Sequence, residues 1–338
     1  MNAKIRKATV DAYKKILDTK DAERLGLFEG LWELRDEQLC SAPGAQDATS
    51  SYEIPSLSLL EGWYWEEKAV FAESPFLIDK DSFVAALETC ANYLAANAGL
   101  AEKLTEALDS FSWAELVEQN DLVLAGTNPM VYIEDCCAWI DTACNSSVDT
   151  KVDATADVEA AGEAEEANVE AVAFIDREVA AFILASSLRA MLQNAAASVM
   201  NTLAPYLKEA NNLHVKPKQC PLCGSTPQAS SVGETPSGLS NGRLLYCVVC
   251  GIEWEFERIR CAHCGTQSQS HLHYFHIDGD ETHRLYSCQE CGEYMRTVFQ
   301  EHLSTPLSLE VEDIIMTRLD AAAHDDRFNE QAQSHRTE

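Results

Sequence analysis

Residues 220–228 read CPLCGSTPQ, and residues 261–269 read CAHCGTQSQ, so one cysteine pattern is written twice, forty-one positions apart. Each copy is followed by a second knuckle, CVVCG at 247–251 and CQECG at 288–292. Aligned without a gap, 220–251 falls on 261–292. Cys220, Cys223, Gly224, Gln228, Gly238, Arg243, Leu244, Cys247, Cys250 and Gly251 then match Cys261, Cys264, Gly265, Gln269, Gly279, Arg284, Leu285, Cys288, Cys291 and Gly292. Eight of the thirteen cysteines lie in this register; Cys40, Cys90, Cys136, Cys137 and Cys144 are scattered upstream.

Two cysteines three apart in a tight turn aim both sulfurs at one point, and a following glycine permits the positive φ such a turn needs. Two knuckles complete a tetrahedral thiolate shell, which suits zinc or a single rubredoxin-type iron. A module of about 35 residues has too little core to stand alone, so a bound ion substitutes for one. The equal spacers favour pairing 220/223 with 247/250 and 261/264 with 288/291. Joining the two middle knuckles would force the outer ones together and break the repeat.

The chain has 338 residues, 46% hydrophobic and 24% charged, as in a soluble globular protein of more than one domain. Its formal net charge of −30 opposes binding to a phosphate backbone, and no Lys/Arg-rich run offsets it. The densest apolar piece, VAAFILA at 179–185, is bracketed by charge, so no membrane insertion is expected. The N-terminus has no apolar stretch behind its basic start, which points to the cytoplasm, where cysteines serve metal or redox chemistry rather than a disulfide framework.

Residues 1–212 read as an all-α domain of six to eight helices. DSFVAALETCANYLAANAG places Asp81 as an N-cap, apolar residues at 83, 84, 87, 90, 91 and 94, and Gly99 as a stop. NPMVYIEDCCAWIDTAC has Asn128 as cap, Pro129 at the first helical position, and Met130, Ile133, Cys137, Ile140 and Cys144 on one stripe. A third helix spans about 169–208, through Val172, Ile175, Val179, Phe182, Ile183 and Leu188. Residues 149–168, rich in acidic residues and alanine, read as a flexible insertion, and the chain beyond about 320 as a polar tail. After Pro217 short β-type runs appear: LLYCVV, EWEFERI, LHYFHI and YMRTVF. The fold class is therefore α+β, an N-terminal helical domain followed by two tandem rubredoxin-like or zinc-ribbon four-cysteine modules. The expected boundaries are 1–212, 213–256, 257–305 and, for a C-terminal helix and tail, 306–338.

The remaining candidates favour structural roles. His271, His273 and His276 in HLHYFH and His263 inside a knuckle are ordinary hairpin and turn residues while eight thiolates are available. Cys136 and Cys137 sit on or beside an apolar helical stripe, where cysteine behaves as a small hydrophobe. Trp63, Tyr64 and Trp65 suit a helix core better than a docking patch. Arg243, Arg258, Arg260 and Arg284 read as polar braces across the hairpins, with an anionic docking point as the alternative. No nucleophile elbow, phosphate loop, HExxH or carboxylate dyad is present, which leans against catalysis.

At CPLCGSTP (220–227), YCVVCGIEWEFERIRCAHCG (246–265) and HLHYF…LYSCQECGEYMRT (271–297) the chain resembles the formate dehydrogenase accessory proteins of the FdhE family. The resemblance implies a non-enzymatic cytoplasmic maturation factor. Such a factor binds the catalytic subunit of a molybdenum- or tungsten-dependent formate dehydrogenase and supports its assembly or activation. It also implies two metal ions, iron in rubredoxin fashion or zinc, held by Cys220, Cys223, Cys247, Cys250, Cys261, Cys264, Cys288 and Cys291. Homodimerisation stays open. Two rivals remain: a rubredoxin-like electron-transfer protein and, less favoured, a zinc-ribbon nucleic-acid-binding protein.

Overall fold

The computed structural model describes residues 3–41, 52–153, 175–210 and 215–323. The helical half comprises α1 (Ala3–Tyr13), α2 (Thr19–Ser41), α3 (Leu57–Trp65), α4 (Val70–Glu73), α5 (Lys80–Asn97), α6 (Glu102–Ser110), α7 (Trp113–Gln119), α8 (Leu122–Thr127), α9 (Pro129–Asp153) and α10 (Arg177–Ala210). Among the described residues this is more than the six to eight helices expected. The surplus is short pieces such as α7 and α8, which periodicity cannot resolve but caps can. Ser112 accepts from the Glu115 amide and Asp121 from the Val123 amide, each starting a helix of two turns or fewer. The cap of α5 is Asp79, not Asp81, because the Asp79 carboxylate receives the Ser82 amide at 2.9 Å. Gly99 follows that helix at φ 61°.

Helix α10 forms the spine of this half, packed against α2, α3, α5 and α9. Over Arg177–Glu209 it is long and apolar enough to cross a membrane by length and composition alone, which a search for unbroken apolar runs does not reveal. Its most apolar window is 56% buried inside the protein, as the central helix of a packed body would be. Leu184, Leu188, Leu192, Val199 and Leu203 share one apolar cluster with Phe83, Leu87, Tyr132 and Ile140. The acidic insertion placed at 149–168 lies outside the described residues from 154 onward, as does the tail beyond 323; α9 itself runs to Asp153.

Among the described residues six strands follow: β1 (Ala229–Gly233), β2 (Gly242–Tyr246), β3 (Glu253–Phe256), β4 (Leu272–Phe275), β5 (His283–Cys288) and β6 (Tyr294–Phe299). The forty-one-residue offset carries the β1–β2–β3 meander onto β4–β5–β6. The two meanders are not separate beads, however. They join into one sheet of order β3-β2-β1-β6-β5-β4, in which β1 and β6 run parallel with Ser230 opposite Thr297. The two hydroxyls at that seam lie 2.8 Å apart. Helices α11 (Leu309–Ile315) and α12 (Arg318–Ala323) cover part of the sheet, Leu309, Met316 and Leu319 meeting Leu244, Leu285 and Val298. Helix α11 also reaches back to the N-terminus, where Val311 and Ile315 pack with Val10, Tyr13, Leu25 and Trp32.

Candidate metal centres

All four knuckles share one backbone scheme. In each, the glycine amide closes onto the carbonyl of the first cysteine at 2.8–3.0 Å, and the first cysteine's own amide bonds a carbonyl five residues on. The donors are Gly224, Gly251, Gly265 and Gly292, at φ between 74° and 85°. These turns deliver the sulfurs in the sequential pairing. Cys220, Cys223, Cys247 and Cys250 form one group and Cys261, Cys264, Cys288 and Cys291 the other, with sulfurs in each group within 4.8 Å of one another.

Across the knuckles, Cys220 and Cys250 sulfurs are 3.4 Å apart and Cys223 and Cys247 3.5 Å. In the second group the distances are 3.8 Å for Cys261 to Cys291 and 3.7 Å for Cys264 to Cys288. A tetrahedron with metal–sulfur bonds of about 2.3 Å has edges of about 3.8 Å, so each group could hold one metal ion. Burial opposes ionisation of Cys247, but hydrogen bonds from Cys220, Cys223 and Cys250 with the Cys250 amide outweigh it and hold this thiol well below the cysteine range. At Cys261 burial is likewise outweighed, chiefly by the Cys264 and His263 amides. Burial pushes Cys291 up to about 12. Four thiolates this close repel one another, and a bound cation would offset that repulsion.

The surroundings of the two groups differ. The first is sealed, with all four cysteines at most 1% exposed and inside the same apolar cluster as the helices. The Val70 and Phe71 amides of α4 donate to the Pro221 and Leu222 carbonyls within a knuckle, at 2.9 and 2.8 Å. From α10, Arg189 donates to the Cys247 and Val248 carbonyls at 3.1 and 3.0 Å and meets Glu310 of α11 at 3.4 Å. Burial disfavours the Glu310 carboxylate, yet Arg189, Arg35 and Arg6 overcome that and hold it down to about 2. In the second group Cys261 and Cys288 are buried but Cys264 and Cys291 are exposed.

Sequence reasoning missed Arg189 and Glu310. An arginine amid SSLRAML on an otherwise apolar helix was the available signal. Among the described residues the histidines join neither group: His271 faces Glu290, His273 the Ser270 carbonyl and His276 the Ile277 carbonyl. Cys136 and Cys137 are buried in the helical core, and burial pushes Cys136 up to about 12. The side chains of Cys40 and Cys144 lie outside the described residues. Tyr64 is buried, while Trp63 and Trp65 pack half-buried against the core. Of the four arginines, Arg243, Arg260 and Arg284 turn inward as braces. Arg243 spans the seam between the meanders, reaching Ser230 Oγ and Met295 Sδ at 3.3 Å and lying 4.8 Å over the Tyr286 ring. Burial without a carboxylate partner among the described residues pushes it down to about 10. Of these four only Arg258 is exposed.

One comparison with known proteins falls on the first four-cysteine group. Residues 219–258 match the family model described as FdhE, central domain. A protein named FdhE from Escherichia coli O1:K1 is 37% identical over 84 residues, covering 24% of this chain and 26% of that protein. An FdhE homolog from Citrobacter koseri is 32% identical over 111 residues, 32% of this chain and 34% of its own length. The matched segment therefore spans about a quarter to a third of these curated relatives. The crystal structure of the FdhE protein from Pseudomonas aeruginosa overlays 74% of this chain and 92% of its own, loosely, at 19% identity and a TM-score of 0.31. The family-model match lies on the segment that carries the first four-cysteine group.

Proposed function

We propose that this protein is a cytoplasmic accessory factor of formate dehydrogenase, without catalytic activity of its own. It binds the catalytic subunit of a molybdenum- or tungsten-dependent enzyme and supports its assembly or activation. The observation that carries this reading is where the FdhE central-domain match falls: 219–258 builds the sealed cysteine group and its joint with the helical half. In this reading 1–212 is the helical domain, 213–256 and 257–305 are the two ribbons, and 306–338 is the C-terminal helix and tail.

Cys220, Cys223, Cys247 and Cys250 are the proposed ligands of one ion, and Cys261, Cys264, Cys288 and Cys291 of the other. Iron bound there would supply one-electron chemistry and zinc a redox-silent cross-link. The chain's own residues do the rest. Knuckle amides orient the sulfurs, Arg189 fixes the first ribbon to α10, and Arg243 with the Ser230–Thr297 pair holds the ribbons as one rigid sheet. A client then meets a fixed surface. The exposed Cys264 and Cys291 favour a second reading, a rubredoxin-like electron carrier, which requires a reversible visible-absorbing ferric centre and turnover with a reductase without a stable client complex.

Affinity purification of the tagged full chain from anaerobically grown cells, with metal analysis of the eluate, tests the first reading. It expects the formate dehydrogenase catalytic subunit together with about two equivalents of metal. Folded, metal-loaded protein that never brings that subunit down contradicts it.

A further inference from the structure

The two cysteine groups share their turns but differ in what can reach their sulfurs. In the second group Cys261 and Cys288 are only 4% and 3% exposed, whereas Cys264 and Cys291, the last cysteine of each knuckle, are open to solvent. The turn behind Cys291 is open as well, since a Cβ on Gly292 would meet nothing within 4 Å. Every cysteine of the first group is buried, and Cys90, Cys136 and Cys137 are shut in the helical core. Among the cysteines whose side chains are described, only Cys264 and Cys291 face an incoming solute.

The spacing of the sulfurs adds a direction. Each exposed sulfur lies close to a buried one on the opposite knuckle, Cys264 to Cys288 at 3.7 Å and Cys291 to Cys261 at 3.8 Å. These pairs, 24 and 30 residues apart in sequence, join the same two knuckles that a shared ion would join. A disulfide across either pair would therefore put a covalent tie where the metal tie had been. A bond inside one knuckle, Cys261 to Cys264 or Cys288 to Cys291, would leave the two knuckles unconnected.

We propose that Cys264 and Cys291 are an oxidative modification site, at which a hydroperoxide converts the second group from a metal cross-link into a cross-knuckle disulfide while the first group stays loaded. A ligand cysteine is held as the thiolate, the form that reacts with peroxides. The Cys264 thiolate attacks the terminal peroxide oxygen and the O–O bond breaks. The sulfur becomes a sulfenic acid, and the departing alkoxide or hydroxide takes a proton from water. The Cys288 thiolate then attacks that sulfur, the S–O bond breaks and hydroxide leaves. The two sulfurs have given up two electrons and the hydroperoxide has gained them. Cys291 and Cys261 form the equivalent pair. With two of four ligands consumed, the group no longer closes a tetrahedral shell, and its ion is given up to solvent. This inference rests on the assignment of the second group as metal ligands, not on the formate dehydrogenase reading.

The test uses the zinc-loaded full-length protein, because zinc has no redox chemistry and every electron lost then comes from the protein. Zinc is counted first. Hydrogen peroxide is then added with a chromophoric chelator present, and disulfides are mapped by mass spectrometry on peptides cut without reduction. One equivalent leaves at least about tenfold faster with peroxide than without it, and the other is retained. The map shows Cys264–Cys288, Cys261–Cys291 or both, and the amides of β5 and β6 keep their protection from hydrogen exchange. Reductant followed by zinc restores two equivalents. Loss of both equivalents together, release without a disulfide, bonds confined to single knuckles, loss of β5 and β6 protection, or no response to peroxide overturns the proposal and leaves the ligand assignment standing. Fewer than two equivalents at the outset, in folded protein supplied with zinc, overturns both.

Discussion

Cys223 and Cys250 are sealed inside the protein, whereas their repeat partners Cys264 and Cys291 face solvent, although the turns that carry them have the same hydrogen bonds and the same backbone hand. The difference comes from what is packed outside the repeat. Helix α4 caps one knuckle of the first group and Arg189 braces the other, while the second ribbon is tied through its strands, to its neighbour across β1 and β6 and to Glu312 through His283. A duplicated module thus has one copy absorbed into a core and the other left at the surface. The first copy is built into the helical core, and the second presents two of its cysteines to solvent.

The largest effect expected from this contrast is on stability. Cys220→Ser breaks a buried group that the helical core depends on, and its thermal midpoint falls by more than about 10 °C, the size of a loss near 5 kcal/mol. Cys264→Ser loses one equivalent of metal with less than half that drop. Equal drops in the two variants would mean the groups carry the fold alike.

Arg189→Met sharpens the comparison next. It strips the brace from Cys247 and Val248 and removes one of the three arginines around Glu310, at a cost of about 3 kcal/mol by denaturant titration. The expected companion is faster exchange of the first metal with the second unaffected.

The knuckle glycines give a subtler test. Gly251 and Gly292 sit at φ 81° and 80°, so alanine at either costs about 1–2 kcal/mol for the left-handed backbone. A Cβ on Gly251 would also lie 2.0 Å from the buried, bonded Arg189 guanidinium, whereas nothing lies within 4 Å of one on Gly292. Gly251→Ala is therefore the more damaging of the two, and parity would show that Arg189 yields freely.

The smallest effect concerns the second ribbon's own tie to the helices. His283 of β5, 4% exposed, meets Asp280 through Nδ1 and Glu312 through Nε2, both at 2.9 Å, and Tyr13 and Arg318 complete the surround. Burial opposes the imidazolium, yet Asp280 and Glu312 outweigh it and raise the His283 pKa. A raised folded value stabilises fully below the unfolded value near 6.5 and fades as pH rises through the folded one. The advantage of the wild type over His283→Gln is thus greatest near pH 6 and shrinks toward pH 9. A constant difference across that range would mean that folding leaves the histidine's proton affinity unchanged.

The cysteine register made the second half of the fold readable. It gave the knuckles and their pairing, and it held more than the β-type runs disclosed: LHYF marks β4, and the forty-one-residue shift points to the polar ASSVG segment that forms β1. β1 has no apolar alternation of its own, because Ser230 and Ser231 are buried by pairing with β2 and β6 rather than by hydrophobicity. Helices α5 and α9 were legible from their apolar stripes, though α5 starts on Asp79 rather than Asp81, while α7 and α8 were too short to show a period. The unequal burial of the two groups was not legible at all. It depends on Arg189 meeting Cys247 from fifty-eight residues away and on Glu310 gathering Arg6, Arg35 and Arg189, contacts that no local pattern encodes.

Metal release from the native protein into a chromophoric chelator tests most directly the claim of two like-built centres set in unlike surroundings. Two equivalents per chain should leave in two phases at least tenfold apart in rate, the fast one missing in Cys264→Ser and the slow one in Cys220→Ser. A single phase carrying both equivalents, or fewer than two equivalents in protein that is otherwise folded, would contradict it.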